Sequence, residues 1–441
     1  MRAKSTFYAL SSAPGRAGVA VLRVSGARAG DAIRALTGRT GLVPRSAVLT
    51  ALRDNAGELI DRALVLWFPG PASFTGEDVA EFHVHGGRAV VEAVLTALAA
   101  VPELVAAEPG AFTRRAVENG KFDLTGAEAL IDLIDAETEA QRRQALKQYG
   151  GALAALYDGW RTRLIRASAW AEAVIDFSDE EVPQEAAVGA RAAVRDILEE
   201  IQLHMNDSQR GEIVREGLYL TVIGQPNSGK STLVNVLAKR DVAIVSELAG
   251  TTRDVIEVRM DLGGYAVTLA DTAGLREATG AVEAEGVRRA LARAEAADVV
   301  VLVLDGTATE PFAGVPEEAR AKASLTVWNK ADLPFPEVRT GLKISARTGE
   351  GIPALISALT GLVCERLGGA GEAPVLTRAR HRQALEEAAG ALTRALQAPP
   401  RAPELMAEDM RLALRSLGRI TGRVDVEELL DVVFRDFCIG K

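Results

Sequence analysis

Residues Gly224–Ser231 read GQPNSGKS and follow the apolar run Leu218–Ile223. This is the pattern G-x-x-x-x-G-K-[ST], placed after a predicted strand and before a predicted helix, as a phosphate-cradling loop requires. Successive backbone N–H groups at a helix N-terminus form an anion site. Lys230 then reaches the β- and γ-phosphates, and the Ser231 hydroxyl binds Mg²⁺. The candidate phosphate-binding stretch is Asn227, Ser228, Gly229, Lys230, Ser231 and Thr232. A nucleoside triphosphate is therefore expected at the carboxyl end of a sheet, about halfway along the chain.

The base is named by later residues. Asp271-Thr-Ala-Gly274 ends a predicted strand, Tyr265–Ala270. An Asp there holds Mg²⁺ through water, and the Gly274 N–H senses the γ-phosphate. Asn329-Lys330-Ala-Asp332 follows the predicted strand Leu325–Trp328. A carboxylate at Asp332 accepts two hydrogen bonds from the N–H and exocyclic amine of guanine, a pair that adenine lacks. Ser345-Ala346, after Leu342–Ile344, completes a base-binding loop, and the stretch Gly250-Thr251-Thr252-Arg-Asp supplies a hydroxyl for Mg²⁺ and the γ-phosphate. Each short motif alone is ordinary. Five in this order resemble the Ras-like GTPase fold over about residues 216–372.

One departure matters. After DTAG stands Leu275, where Ras has a glutamine that orients the attacking water. Leucine neither orients nor deprotonates water, so either the hydrolytic group comes from elsewhere or hydrolysis is very slow. The acidic stretch Leu275–Glu285 offers Glu277, Glu283 and Glu285, and the residues alone do not choose among them. Asn227, inside the loop, has an amide oxygen able to ligate a monovalent cation.

A chain of 441 residues suggests about three domains. Its 48% hydrophobic and 25% charged residues are those of a soluble globular protein. No apolar run approaches the roughly 18 residues that span a bilayer. Pro14 and Arg16 break any signal-peptide core, and the two cysteines give no disulfide framework, so a reducing cytoplasm is expected. A net charge of −9 and 5% aromatics argue against a bulk basic surface or a base-stacking platform. Any RNA contact is a local patch or belongs to a partner.

The expected fold class is α/β plus all-α. Residues 1–118 read as a mixed α/β domain, with strands at Gly18–Val24, Ala63–Phe68 and Phe82–His85 and a helix at Val90–Ala100. Residues 119–215 read as helical, with one long helical pattern over Ala127–Ala173 and another over Arg191–Met205. The GTPase-like domain spans 216–372, where the apolar run Val299–Leu304 reads as a buried parallel strand. Gly368–Pro374 is a linker by composition, and 373–441 is helical again over Arg378–Leu396 and Glu404–Leu417. Helical pieces flanking an intact domain suggest one helical bundle with the nucleotide domain inserted into it.

Outside that domain, His83 and His85 share one strand face, as a metal pair would, but no third ligand is near them in sequence. The other reading is strand residues with satisfied hydrogen bonds. Arg411, Arg415 and Arg419 recur every four residues along one helix face, either as a phosphate-reading stripe or as a salt-bridged one. The chain ends Phe437-Cys438-Ile-Gly-Lys441. Gly440 and Lys441 do not fit a prenylation signal, and the apolar Phe437 and Ile439 suggest a tail that is tied down.

The PGRAGV of 14–19, the FTGEDV…HGG of 74–87, PGAFTRRA…NGK over 109–121, the GTTRD and DTAGLRE pair, and the terminal FCIGK together resemble the MnmE (TrmE) family of tRNA-modification GTPases, end to end. The resemblance implies an N-terminal domain similar to folate-binding aminomethyltransferase domains. That domain would bind 5-formyl- or methylene-tetrahydrofolate through Arg23, Glu81 and Lys121, with Lys441 from the tail, and would form a homodimer. It further implies K⁺ held by Asn227 and by backbone carbonyls at Ser246 and Leu248, with Thr251 beside them. Ser231 and Thr252 match the Mg²⁺ ligands, and Glu283 matches the glutamate that orients water. Cys438 matches the tail cysteine, a candidate catalytic residue with Glu283 and Lys230.

The implied function is a K⁺-stimulated GTPase that works with an FAD-carrying partner resembling MnmG (GidA), in a heterotetramer or larger assembly. Together they would place an aminomethyl-type group, such as 5-carboxymethylaminomethyl, on the wobble uridine of certain tRNAs. The competing class is a regulatory or ribosome-assembly switch of the Era or Der type. It shares the nucleotide motifs but needs neither the α/β head nor the FCIGK tail.

Overall fold

The structure is a computed structural model that describes residues 5–176, 184–206, 208–240, 242–244, 257–270, 294–334, 341–367, 375–399, 402–424, 430, 433–434 and 440. The linker expected at 368–374 lies outside them. The chain divides into two compact units, one of Met1–Ile131, Gln148–Ile197 and Ala384–Lys441, the other of Asp132–Lys147 and Leu198–Gln383. No helix among the described residues is long and apolar enough to cross a membrane.

The first unit opens with a sheet of β1 (Thr6–Leu10), β2 (Ala17–Ser25), β3 (Val48–Arg53), β4 (Leu59–Phe68), β5 (Val79–Gly86) and β6 (Leu104–Ala106). Their spatial order is β3-β4-β5-β2-β1-β6, antiparallel except for the β1/β6 pair. Alternation along the strands gives the sheet two different faces. Leu22, Val24, Ala80, Phe82 and Val84 point to a core closed by the helices Ala29–Thr37 and Arg88–Ala99, through Ile33, Leu36, Val94 and Leu98. On the other face Phe7 and Ala9 pack against Phe112 of the helix Ala111–Glu118. The three strands and the helix expected here are present. β1, β3, β6 and two further helices were not legible, because these elements are short and their apolar residues do not repeat for long enough to declare a period.

The expected helical run over Ala127–Ala173 is three helices, Leu124–Ile134, Glu139–Tyr149 and Ala152–Asp176. Two local causes break it. Gln141 Oε1 accepts the Glu137 and Thr138 N–H groups at 2.9 and 3.1 Å, capping a helix start. Gly151, at φ 86°, makes the second corner. On Ala152–Asp176 the buried residues Leu153, Tyr157, Trp160, Leu164, Ala167 and Ala171 recur at helical spacing. That stripe packs against the helix Pro403–Thr421, which begins with Pro403 and ends at Gly422 in the left-handed region. Leu430 and Phe434 join Leu124 and Ala127 in a small core. Near the chain end the Gly440 carbonyl accepts the Ser11 hydroxyl at 2.8 Å.

The second unit is built on β7 (Leu218–Ile223), β8 (Glu257–Leu262), β9 (Tyr265–Ala270), β10 (Val299–Asp305), β11 (Leu325–Asn329) and β12 (Leu342–Lys343), in the order β12-β11-β10-β7-β9-β8. All pairs are parallel except β8 with β9. β10 is buried along its whole apolar run, as an inner parallel strand must be. One face packs on the helices Lys230–Ala238 and Ile352–Leu367 through Leu233, Leu237, Leu355, Leu359 and Val363. The other packs through Ile223, Val300, Leu302, Leu304 and Trp328 on Ala319 and Val315. Parallel order puts the carboxyl ends of β7, β10 and β11 side by side, and the loops leaving them carry the sequence motifs.

Asp123 starts the helix Leu124–Ile134. Its Oδ1 accepts the Gly126 N–H at 2.9 Å and the Thr125 hydroxyl at 2.8 Å. Burial pushes this carboxyl above its ordinary range, against the pull of those two donors. A raised carboxyl weakens the fold as pH rises past the ordinary carboxylate value, so at neutral pH an uncharged acceptor serves at least as well. Asp123→Ala should therefore cost about 1 kcal/mol and lower the melting temperature, whereas Asp123→Asn should not. Thermal unfolding of both variants at neutral pH checks this, and equal melting of the two would show that the cap is irrelevant.

Candidate functional site

Between β7 and the helix Lys230–Ala238 the backbone turns through three left-handed residues, Gly224 (φ 155°), Asn227 (φ 62°) and Gly229 (φ 92°). Two of these must be glycine. A Cβ on Gly224 would lie 2.1 Å from the Val303 carbonyl oxygen, and one on Gly229 would lie 2.1 Å from Asn329 Nδ2. Asparagine tolerates the left-handed region because its short amide bonds locally. Lys230 Nζ donates to the Gly224 and Gln225 carbonyls at 3.0 and 2.6 Å, which holds its ammonium over the loop. Ser228 is fully buried, and its Oγ has no hydrogen-bond partner among the described residues. A buried orphan hydroxyl at the positive end of a helix fits an anionic oxygen.

Asn329 ends β11 and is buried. Its Nδ2 donates to the Ser228 carbonyl at 2.7 Å, and its Oδ1 accepts the Ala346 N–H at 2.9 Å. One side chain thus ties the phosphate loop to the base loop. Lys330, at φ 69°, pairs through Nζ with Asp305 Oδ2 at 2.6 Å. Ser345, fully buried, donates its hydroxyl to Asp332 Oδ1 at 2.7 Å and accepts the Thr348 N–H at 3.1 Å. The Ser345 hydroxyl, helped by the charges of Arg347 and Lys330, holds the Asp332 carboxyl below its ordinary range. The carboxylate is therefore ionised and aimed, as an acceptor for paired N–H donors must be. Asp305 and Arg347 were missed from sequence; the Asp at the end of the apolar run Val299–Leu304 was the available signal for the first.

The structure brings together Asn227, Ser228, Gly229, Lys230, Ser231 and Thr232 on the loop and first turn, with Asn329, Lys330, Asp332, Ser345 and Ala346 on the two loops tied to it. Ser246, Leu248, Thr251, Thr252, Asp271, Gly274 and Glu283 lie outside the described residues, as do Leu275, Glu277 and Glu285.

In the first unit, Arg23 on β2 stands opposite Glu81 on β5. Its Nε donates to Glu81 Oε1 at 2.9 Å, while His83 Nε2 meets Glu81 Oε2 at 3.1 Å. The guanidinium lies 5.5 Å from the Phe74 ring and 5.6 Å from the Phe112 ring. These residues occupy the sheet face away from the helices Ala29–Thr37 and Arg88–Ala99. Lys121 Nζ donates to the Pro71 carbonyl at 3.0 Å, on the loop that carries Phe74. Phe74 also lies 5.9 Å from the ring of Phe122. The combination of a carboxylate, a guanidinium and aromatic walls fits a flat heteroaromatic ring with an N–H edge. Phe74, Phe112 and His83 were not singled out for this site from sequence. The two histidines part company: His85 Nδ1 bonds Asp61 at 2.8 Å, and His83 joins Glu81. Cys438 and Lys441 lie outside the described residues. Gly440, at φ 95°, is so close to the end of β1 that a Cβ would lie 2.0 Å from the Leu10 carbonyl oxygen.

Two family models match the chain. One, described as the GTP-binding protein TrmE N-terminus, covers residues 6–121, and the other, described as the MnmE helical domain, covers 124–438. A protein of Parvibaculum lavamentivorans curated as tRNA modification GTPase MnmE is 58% identical over 444 residues, 99% of this chain and 100% of its own. Proteins of the same name from Paramagnetospirillum magneticum and Rhodospirillum rubrum are 54% and 52% identical, each over 99% of both chains.

Asp332→Asn should lose the preference for GTP over ATP by roughly 10- to 100-fold, the worth of a charge-assisted hydrogen-bond pair. Because the carboxyl is depressed, its anion persists until pH falls below the ordinary carboxylate value. Wild-type preference should thus be flat from neutral to mildly acidic pH. Competition binding of the two nucleotides measures both, and an unchanged preference in the variant would remove Asp332 from base recognition.

Proposed function

This chain belongs to the MnmE (TrmE) family, and from that premise we propose that it is a GTP hydrolase whose nucleotide cycle serves modification of the wobble uridine of tRNA. The observation that carries the reading is the pocket in which Asn329 joins the phosphate loop to a loop where Ser345 aims Asp332. In this reading the N–H groups of 227–232 cradle the phosphates, Lys230 neutralises charge at the β- and γ-phosphates, and Asp332 selects guanine. Ser231 and Thr252 hold Mg²⁺. Asn227, with carbonyls at Ser246 and Leu248 and with Thr251 beside them, holds K⁺. The two ions supply positive charge where it develops during hydrolysis, the role of an arginine finger elsewhere. Asp271 and Gly274 report the γ-phosphate. Glu283 orients the attacking water, a task closed to Leu275.

In this reading the chain has an α/β head over 1–118, helical segments over 119–215 and 373–441, and the nucleotide domain of 216–372 inserted between them. The head forms the contact of a homodimer and holds a tetrahydrofolate one-carbon donor, with Arg23, Glu81 and Lys121 beside the aromatic walls and Lys441 from the tail. When bound, the folate supplies the one-carbon unit, and glycine or ammonium supplies the amine. An FAD protein resembling MnmG is the expected partner in the cytoplasm. Cys438 stands as a tail residue of unassigned chemistry. The Era or Der type of switch is disfavoured because it has no use for the head and its polar sheet face.

Replacing K⁺ by Na⁺ should slow GTP hydrolysis at least about tenfold, as expected for a charge placed at the transition state, and equal rates would remove the cation role of Asn227. Glu283→Ala should keep nucleotide affinity while turnover falls by about 10² or more; unaltered turnover refutes its assignment. The function itself is tested by mass analysis of wobble uridine in tRNA from cells lacking this protein. Loss of the modified base is expected. Intact modification with abnormal ribosomal subunits would favour the switch instead.

A further inference from the structure

The polar face of the head sheet holds a carboxylate that is bonded at both of its oxygens. Glu81 Oε1 accepts two donors of one guanidinium, Arg23 Nε and Nη2, each at 2.9 Å. Glu81 Oε2 lies 3.1 Å from His83 Nε2. Among the described residues no other side chain bonds Glu81 or His83. Glu81 and His83 stand two apart on β5 and so share one face. Sheet register sets Arg23 opposite Glu81, and the apolar Val21 and Leu64 on either side of His83. The side chains of Glu81 and His83 are 16% and 29% exposed, so the network is largely shielded from water and still open to a ligand.

We infer that His83 is a positioning residue of this pocket: it fixes the plane of the Glu81 carboxylate and aims its last open acceptor position at an N–H donor of a pteridine ring. The inference rests on the folate reading above. Both arginine donors converge on one oxygen, so that ion pair is a pivot and not the two-pronged contact that fixes a carboxylate plane. The terminal torsion of a glutamate is broad, and a carboxylate held at Oε1 alone turns about that point. The bond to Oε2 supplies the second fixed point. A carboxylate oxygen only accepts, so the proton of this bond sits on His83 Nε2, which donates. A carboxylate offers about four acceptor positions; Arg23 takes two at Oε1 and His83 one at Oε2, and the remaining one is at Oε2, beside the imidazole. Phe74 and Phe112, which lie against the Arg23 guanidinium, limit where a flat ring can rest, so the direction of that acceptor decides whether a ring donor meets it.

The test is calorimetric titration of the full-length protein with 5-formyltetrahydrofolate. H83L should bind at least about fivefold more weakly than wild type, as expected when a charge-assisted hydrogen bond is lost. H83Q, whose side-chain amide N–H has the reach of Nε2, should return to within about threefold of wild type. In an E81Q background, H83L should change affinity by less than about twofold, because His83 acts through the carboxylate. Wild-type affinity in H83L would overturn the proposal. So would H83Q as weak as H83L, or an equal loss from H83L with and without Glu81, which would make His83 a direct ligand contact or mere packing. Should the variants melt early, the wild-type chain carries the test. It has four histidines, and ¹⁵N-histidine spectra at alkaline pH, where an imidazole is neutral, should place one ring proton on Nε2 of His83 and show that signal moving when 5-formyltetrahydrofolate is added. A proton on Nδ1, or a signal that the ligand leaves unmoved, would overturn the proposal. Failure of the wild type to bind 5-formyltetrahydrofolate would instead bring down the folate reading on which it depends.

Discussion

A single buried amide holds the nucleotide pocket together. Asn329 donates to the Ser228 carbonyl and accepts the Ala346 N–H, so its two ends fix the phosphate-loop and base-loop backbones to each other. The glycine at 229 exists for the same contact, because any Cβ there would strike the Asn329 amide. Replacing the amide by an apolar group would leave a buried carbonyl and a buried N–H unpaired, at about 1–3 kcal/mol each. The parallel sheet sets the loops side by side, and the amide sets their spacing. Ser345 adds orientation at the base end by tying Asp332 to the same loop.

The head domain solves a different problem with the same economy of parts. A strand shows its side chains alternately to two faces, and the β2/β5 pair uses both. Leu22, Val24, Phe82 and Val84 go into the core, and the intervening Arg23, Glu81 and His83 form a polar network on the far face. Phe74 and Phe112 then wall that network. The hydrophobic side positions the polar side without contributing atoms to it. Gly440 brings the chain end against β1 of this sheet, because its φ and its missing Cβ permit an approach that other residues would block.

Legibility followed the length of the signal. The inner strands Leu218–Ile223 and Val299–Asp305 are continuous apolar runs and were plain, as were the long helices Ala379–Gln397 and Pro403–Thr421 with their helical spacing. β1 and β6, five and three residues long, gave no period to count. The breaks around Gln141 and Gly151 were hidden inside a stretch whose composition stays helical throughout, because a cap and a positive φ act through geometry that composition does not carry. At the nucleotide site the motif residues on the described loops were legible, but their supports Asp305 and Arg347 were not, since a supporting ion pair has no spacing rule of its own.

By itself the sequence determined the local motifs: GQPNSGKS and NKAD bring phosphate-loop and base-loop donors and acceptors within a few residues, and short-range order is enough to specify them. Only the tertiary structure decided which side chains meet across long separations. Arg23 with Phe112, Asn329 with Ser228, and Arg419 with Glu387 are joined by sheet register and helix packing. The physical reason is that a motif records what a residue can bond, whereas the partner it bonds is chosen by how buried faces pack, and that choice depends on the whole chain at once.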